Sequence, residues 1–480
     1  MAAYDFTRRA SYGPASPAVG ERGARTRRRI VDVTLLLFEE KGFHGTLVDD
    51  IASSVGISRA ALYQYFGSKE EIFVELLREC GAALLRVIPR LGRTGPTPAG
   101  YDNLHWWLGE WAWVYDKYST MFVQWSHVDS PRAPLRPLIA DFNSEYTRRM
   151  TDRLAECHVT GLDLEDLAAA LLATVTRVNY YRTVAATGGV GDGPLLDALA
   201  TVFQLVMYPS TPASALVHTG GPSEQPALRS PRPRRGGRPV SRRRAITERG
   251  SAGRLEGCSP QVRATVGRLL DAGAETLAAN GYHLTSVDDI VRQAGLGRGT
   301  FYKYFSDKTD LLGVLAEDGA LALSRGLREF DASAAGGLTG EDLRSWLRQF
   351  VILRRRYMGV FRAWSEGEPD VDTVQVPGRI ARTVLVDAFA RVLTGAERRH
   401  PLDVKAGSLI VLSLLEQLPG QVADALGGMS DERLVETMAV VIERGLLGRG
   451  RRGARPRKAQ TASGTDAGSA RADRCRPEQL

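Results

Sequence analysis

GFHGTLVDDIASSVGISRAALYQYFGSKEEIF, residues 42–73, returns without a gap at 281–312 as GYHLTSVDDIVRQAGLGRGTFYKYFSDKTDLL. The offset is a constant 239, and 13 of the 32 aligned positions are identical, with seven others exchanging one apolar residue for another. A long internal repeat settles the architecture before any single element does. The likeness also spreads outward. Leu104, Trp107 and Leu108 pair with Leu343, Trp346 and Leu347 at 239, as Tyr118, Phe122, Trp125 and Ser126 pair with Tyr357, Phe361, Trp364 and Ser365. Gly161-Leu162-Asp163 meets Pro401-Leu402-Asp403 at 240. A period of this length is too long for a solenoid and predicts two whole protomers, each of two parts, fused in tandem.

Inside the repeated block the residues spell a helix, a tight turn and a second helix. Thr46 is placed to cap a short helix with Val48, Ile51, Ala52 and Val55 on one face, and Asp49 offers a short capping box at the positive end of its dipole. Gly56 supplies the turn, and Ser58 caps a helix from Arg59 to Phe66. Leu62 and Phe66, four apart, face inward and leave Arg59, Ala60, Tyr63 and Gln64 outward. Ser68 to Glu71 reads as a full capping box for the next helix. In the second block Thr285, Val287, Ile290, Ala294 and Gly295 repeat the first helix and turn. Phe301 and Phe305 point in, Arg298, Gly299, Tyr302 and Lys303 point out, and Asp307 caps the third helix. Small outward residues at the start of such a helix let its N-terminus approach the floor of the major groove. Outward Arg, Lys, Gln and Tyr suit base edges and phosphates.

The runs 46–71 and 285–310 resemble the tetracycline-repressor (TetR) family, each over about 60 residues. The resemblance implies helix-turn-helix motifs at 47–66 and 286–305 that dock on double-stranded DNA. It implies that Tyr63, Lys69, Tyr302 and Lys308 grip phosphates, and that Thr46 and Thr285 contact the DNA backbone. It implies that Arg59 to Gln64, including Ala60 and Ala61, and Arg298 to Lys303, including Gly299 and Thr300, read bases. Tyr65 and Tyr304 stand where the family often has His, and Gly297 replaces the cap Ser58. The C-terminal parts would then hold a pocket for a small hydrophobic or aromatic effector and a helical pairing surface. Trp107, Trp111, Tyr118, Phe122 and Trp125, with Trp346, Phe350, Tyr357, Phe361 and Trp364, are the aromatic candidates for that pocket; ordinary core is the competing reading. Segments near 162–184, 194–208, 402–419 and 430–447 are candidates for a four-helix pairing within the chain or between chains.

Composition agrees with this organisation. A chain of 480 residues with a net charge of +8 has room for several domains and suits a polyanionic partner. Cys80, Cys157, Cys258 and Cys475 stand singly, with no metal spacing, and read as reduced thiols. No motif for a nucleophile, a metal or a cofactor stands out, which argues against an enzyme. Without a membrane-length apolar run or a signal peptide, the protein is expected to be cytoplasmic, in a bacterium and associated with the nucleoid.

The expected fold class is all-α. A disordered basic arm (1–22) precedes a DNA-binding domain (23–83) and an effector and pairing domain (84–208). A Pro/Arg-rich linker (209–258) leads to the second pair of domains (259–322 and 323–447) and a basic disordered tail (448–480). The expected function is a DNA-binding transcriptional regulator, a repressor released by ligand, in which one chain forms a pseudo-dimer on an asymmetric operator. A non-specific architectural DNA binder, or an enzyme with a helical catalytic cavity, are the alternatives.

Overall fold

Ile30, Val31, Thr34, Leu37 and Phe38 form the buried stripe of α1 (Glu21–Gly45). Gly42 does not end this helix but redirects it at φ 76°, and a last turn follows. Gly281 makes the same bend at φ 73° in α11 (Pro260–Leu284). Only a residue without Cβ takes that backbone at little cost. The computed structural model describes residues 21–128, 135–159, 162–217, 250–334, 337–367, 369–398, 400–424 and 429–449.

Three helices complete the first N-terminal domain: α2 (Val48–Val55), α3 (Arg59–Tyr65) and α4 (Lys69–Val87). Their equivalents are α12 (Val287–Ala294), α13 (Arg298–Tyr304) and α14 (Lys308–Ala334). The first C-terminal domain contains α5 (Pro98–Lys117), α6 (Ser119–Val128), α7 (Leu135–Glu156), α8 (Leu164–Thr183) and α9 (Asp192–Met207). The second repeats the plan with α15 (Gly340–Arg356), α16 (Met358–Glu366), α17 (Asp372–Gly395), α18 (Val404–Asp424) and α19 (Asp431–Val440), the last running into a π turn, Val441–Leu446. Among the described residues there is no strand.

The halves meet through α8 on α18 and α9 on the π turn, with α19 also against α8. Ala168, Ala169, Ala170 and Ala173 are buried on α8 and let a neighbouring helix come close. Gly445 does the same for the π turn, since a Cβ there would lie 2.8 Å from the carbonyl oxygen of Val202. Charged groups fix the register across this seam. Arg177 pairs with Glu416 at 2.6 Å, and Arg433 with Asp166 at 2.7 Å.

The stretch expected to be a linker, 209–258, is structured at both ends. Ala215 and Leu216 are buried beyond α9. On the far side α10 (Gly250–Arg254) lies on α14, where the Ser251 N–H donates to Asp318 Oδ1 at 2.8 Å and Arg254 bonds Asp310 at 2.9 Å. The physical reason is that each end carries partners for its own half: apolar Leu216 for one, and Arg254 for the acidic start of α14 in the other. Residues 218–249 of the expected linker, 1–20 of the arm and 450–480 of the tail lie outside the described residues. Glu21 and Arg22, assigned to the arm, begin α1, and Arg449, assigned to the tail, donates to the carbonyl of Leu338 at 2.6 Å.

Candidate nucleic-acid interface and cavity

The caps of α2 and α12 fall one residue later than the sequence suggested. Leu47 takes the N-cap position and its N–H donates to Asp50 at 3.0 Å, so Asp50 and not Asp49 closes the turn. In the second half Ser286 and Asp289 make the full reciprocal box, at 3.0 and 3.2 Å. Thr46 is thereby released from capping. It is fully buried, and its hydroxyl donates to the carbonyls of Gly42 (2.7 Å) and Leu37 (3.2 Å). Thr285 does the same to Gly281 (2.7 Å) and Thr276 (3.2 Å). Both threonines were expected to touch the DNA backbone; their side chains instead knit the bent end of the preceding helix and are turned away from solvent.

The second helix of each motif is oriented from below by its buried residues. Leu62 and Phe66 are 1% exposed, and Phe301 and Phe305 are buried likewise. Gly56 (φ 77°) and Gly295 (φ 62°) make the left-handed turn before it. Ser58 accepts the Ala61 N–H at 3.1 Å, whereas Gly297 offers α13 no side-chain cap. Arg59, Ala60, Tyr63 and Gln64 are exposed, as are Arg298, Gly299, Tyr302 and Lys303, while Ala61, Tyr65, Thr300 and Tyr304 are half-buried. Each leading arginine is held by an aspartate of the previous helix. Arg59 bonds Asp49 at 3.1 Å and donates to the Tyr63 hydroxyl at 3.4 Å, and Arg298 bonds both carboxylate oxygens of Asp288. By sequence Asp49 was assigned to a capping box and the helix dipole, and Asp288 was not singled out. The repeated ten-residue spacing from Asp49 to Arg59 and from Asp288 to Arg298 was the available signal.

Lys69 and Lys308, expected to grip phosphate, also hold their own domains together. Lys69 Nζ donates to the carbonyls of Phe43 (2.7 Å) and Thr46 (3.0 Å) and sits 4.3 Å from the Phe43 ring centre. Lys308 bonds Tyr282 (2.8 Å) and Thr285 (2.9 Å) above the Tyr282 ring. Partial burial lowers both ammonium groups below the usual lysine value. Two of three N–H groups are committed, which leaves one to reach outward. At the start of α4 the capping box is displaced by one: Ser68 accepts the Glu71 N–H, but Glu71 accepts from Gly67 (2.6 Å). Asp307 caps α14 as expected, accepting from Thr309 (2.7 Å) and Asp310 (2.9 Å).

A cavity of about 530 Å³ opens in the first C-terminal domain between α4 and α7, with α15, α16 and α18 of the second half forming its far wall. That volume lies in the range of small-molecule sites. Of the aromatic candidates Phe122 borders it, stacked on Tyr115 with ring centres 4.1 Å apart. Trp107, Trp111, Tyr118, Trp346, Phe350, Phe361 and Trp364 are buried away from it as core, and Tyr357 packs at half burial on the core. The side chain of Trp125 lies outside the described residues. Phe122 borders the cavity while its repeat partner Phe361 is core, so repetition alone did not separate core from pocket. Tyr115, of the same aromatic stretch, also lines the cavity, as do Tyr180 and Arg177, which were not singled out.

Comparison with known proteins places this geometry. A family profile described as "Bacterial regulatory proteins, tetR family" matches residues 30–76 and again 269–315. The biofilm operon icaADBC HTH-type negative transcriptional regulator IcaR of Staphylococcus aureus (strain Newman) is 35% identical over 100 residues, 21% of this chain and 53% of that protein. The regulator of the same name in Staphylococcus epidermidis is 28% identical over 146 residues, 30% of this chain and 77% of its own. The chain thus spans about half the length of the Staphylococcus aureus relative. A crystal structure of a TetR family transcriptional regulator, PfmR from Thermus thermophilus, aligns at 24% identity over 37% of this chain and 97% of that one, with a TM-score of 0.29.

Proposed function

This chain belongs to the TetR family of bacterial regulatory proteins, whose DNA-binding domain it carries twice, and from that premise we propose that it is a sequence-specific transcriptional repressor acting as a pseudo-dimer within one chain. One observation carries the reading: two helix-turn-helix units with exposed Arg, Tyr and Gln or Lys faces belong to one polypeptide whose C-terminal helices pack on each other. The negative regulators named IcaR, to which the chain is similar, favour repression over activation.

Arg59, Ala60, Tyr63 and Gln64 read one half-site, and Arg298, Gly299, Tyr302 and Lys303 read the other. The free N–H of Lys69 and of Lys308, with Tyr63 and Tyr302, binds phosphate. Two such helices fit successive major grooves when set about 34–36 Å apart. A small effector in the cavity touches both halves at once, so its occupancy shifts their spacing. Release follows when the effector binds the wrong-spacing state more tightly.

The two outward faces differ, which sets the operator. Gln64 pairs bidentately with adenine, whereas Lys303 favours guanine acceptors, each contact being worth roughly 1–3 kcal/mol of discrimination. The shared arginine and tyrosine keep some likeness between the half-sites. Selection of binding sites from random DNA tests the reading: it is expected to return one asymmetric site with two related halves. A perfect palindrome would overturn the assignment of one helix to each half-site, and recovery of no defined site would point to an architectural binder.

A further inference from the structure

The two halves share a pattern, yet they enclose space differently. In the second half α14 and α17 pack along their lengths, and Ala316, Ala320, Gly378 and Ala381 on these two helices are small and buried. A Cβ on Gly378 would sit 2.6 Å from the Trp364 ring, and that ring is fixed by its N–H donating to the Val374 carbonyl at 2.9 Å. At the offset of 239 the first half has Leu77, Gly81, Ile139 and Phe142. Three of these four are larger than their counterparts, and α7 packs on α4 far less extensively than α17 on α14. Phe142 touches down at Gly81, where a Cβ would lie 3.1 Å from its ring. The space left beside that contact is the cavity, whereas in the second half α17 packs closely along α14 at the equivalent place.

The cavity's chemistry is equally one-sided. Apolar side chains such as Leu84, Leu138 and Phe142 line its body, and Arg78, Arg177, Arg354 and Arg362 line it together with Asp141 and Glu416, the last paired with Arg177. The Tyr115 side chain is fully buried, borders the cavity, and its hydroxyl has no hydrogen-bond partner among the described residues. A buried hydroxyl of this kind is unfavourable until something accepts its proton. Arg177 lies close enough to Tyr115 to act on it electrostatically.

We propose that each chain binds one effector molecule, an amphipathic anion, in this cavity and none at the equivalent place in the second half. The apolar body lies between α4 and α7. The acidic group accepts from the Tyr115 hydroxyl and from arginines, two of which, Arg354 and Arg362, come from the second half. An acid placed there also competes with Glu416 for Arg177, and so acts on the seam between the halves. This rests on the reading of the chain as a ligand-responsive regulator and adds a stoichiometry and a chemical class.

The test titrates the full-length protein with anilinonaphthalene sulfonate, and with phenylnaphthylamine as its uncharged analogue, by fluorescence and calorimetry. One saturable site per chain is expected, with the sulfonate preferred about tenfold, as a charge-assisted hydrogen bond would give. Tyr115→Phe should weaken the sulfonate about fivefold. Arg362→Gln should erase the preference for the anion while the unfolding temperature stays in place. Two equivalent sites per chain, equal affinity for the uncharged probe, or indifference to both substitutions would overturn the proposal. Selection of operator DNA without probe is unaffected by any of these outcomes. Conversely, binding of the sulfonate at one site with no change in the operator complex would sustain the site and sink the ligand-release reading alone.

Discussion

The leading arginine of each recognition helix cannot serve DNA and its own aspartate equally. Arg59 with Asp49, and Arg298 with Asp288, are exposed pairs at the same place in both halves. Exposed pairs add little to stability, typically about 0–1 kcal/mol, so their recurrence points to the binding step. The aspartate holds the guanidinium over the helix face, and it also places a negative charge where phosphates must come. Asp49→Asn removes that charge and frees Arg59. Binding to DNA of unrelated sequence should tighten several-fold at low salt, and the salt slope should steepen by up to about one unit. Discrimination between operator and random DNA should shrink. Fluorescence anisotropy across a salt series measures both, and unchanged or weaker binding to random DNA would rule out this role for Asp49.

Helix by helix, legibility followed how local the determining residues are. Turn glycines, inward pairs such as Leu62 and Phe66, and the Asp307 cap depend on neighbours three or four residues away, and the sequence displayed them. The cap of α2 was misplaced by one because Thr46 is as good a cap by type as any residue nearby. The bend at Gly42 displaces it, a tertiary fact that offers its hydroxyl two carbonyls. The cavity was invisible to periodicity because it depends on the sizes of residues on two distant helices. Comparing the halves at the repeat offset would have exposed it, since Ile139 stands against Gly378 and Phe142 against Ala381. Gly378 is accordingly a position where α17 tolerates no added bulk without a neighbour shifting. Gly378→Ala sets a methyl against the Trp364 indole, and overpacking of this kind costs about 1–3 kcal/mol. Chemical denaturation should show that loss even though alanine is the better helix former. A gain in stability would mean that α17 has room to move and that the second half is less closed than its packing implies.

The molecule works as one unit only if the seam between its halves holds, and a buried ion pair on that seam is Arg177 with Glu416, whose side chains are 6% and 10% exposed. Burial alone would push the Glu416 carboxyl up, but Arg177 and Arg382 beside it and the Tyr181 hydroxyl at 2.5 Å hold it below its ordinary value. A carboxylate depressed in the folded state contributes stability above its unfolded pKa, about 4.3. That contribution is lost as pH falls through the depressed folded value. The seam should therefore be intact from neutrality down to the ordinary carboxylate range and loosen below it. Glu416→Gln produces the uncharged state at neutral pH and leaves Arg177 buried without its counter-charge, a loss of about 3–5 kcal/mol for a pair broken from one side. Hydrogen exchange along α8 and α18 should quicken in this variant at pH 7. Its affinity for a complete two-part operator should fall toward that for a single half-site, while half-site affinity itself stays unchanged. Wild-type protein at low pH should show the same quickening, and Glu416→Gln should flatten that pH dependence. If the variant instead keeps full-operator affinity with α8 and α18 as protected as before, the two halves reach DNA independently and the connection between them is a tether.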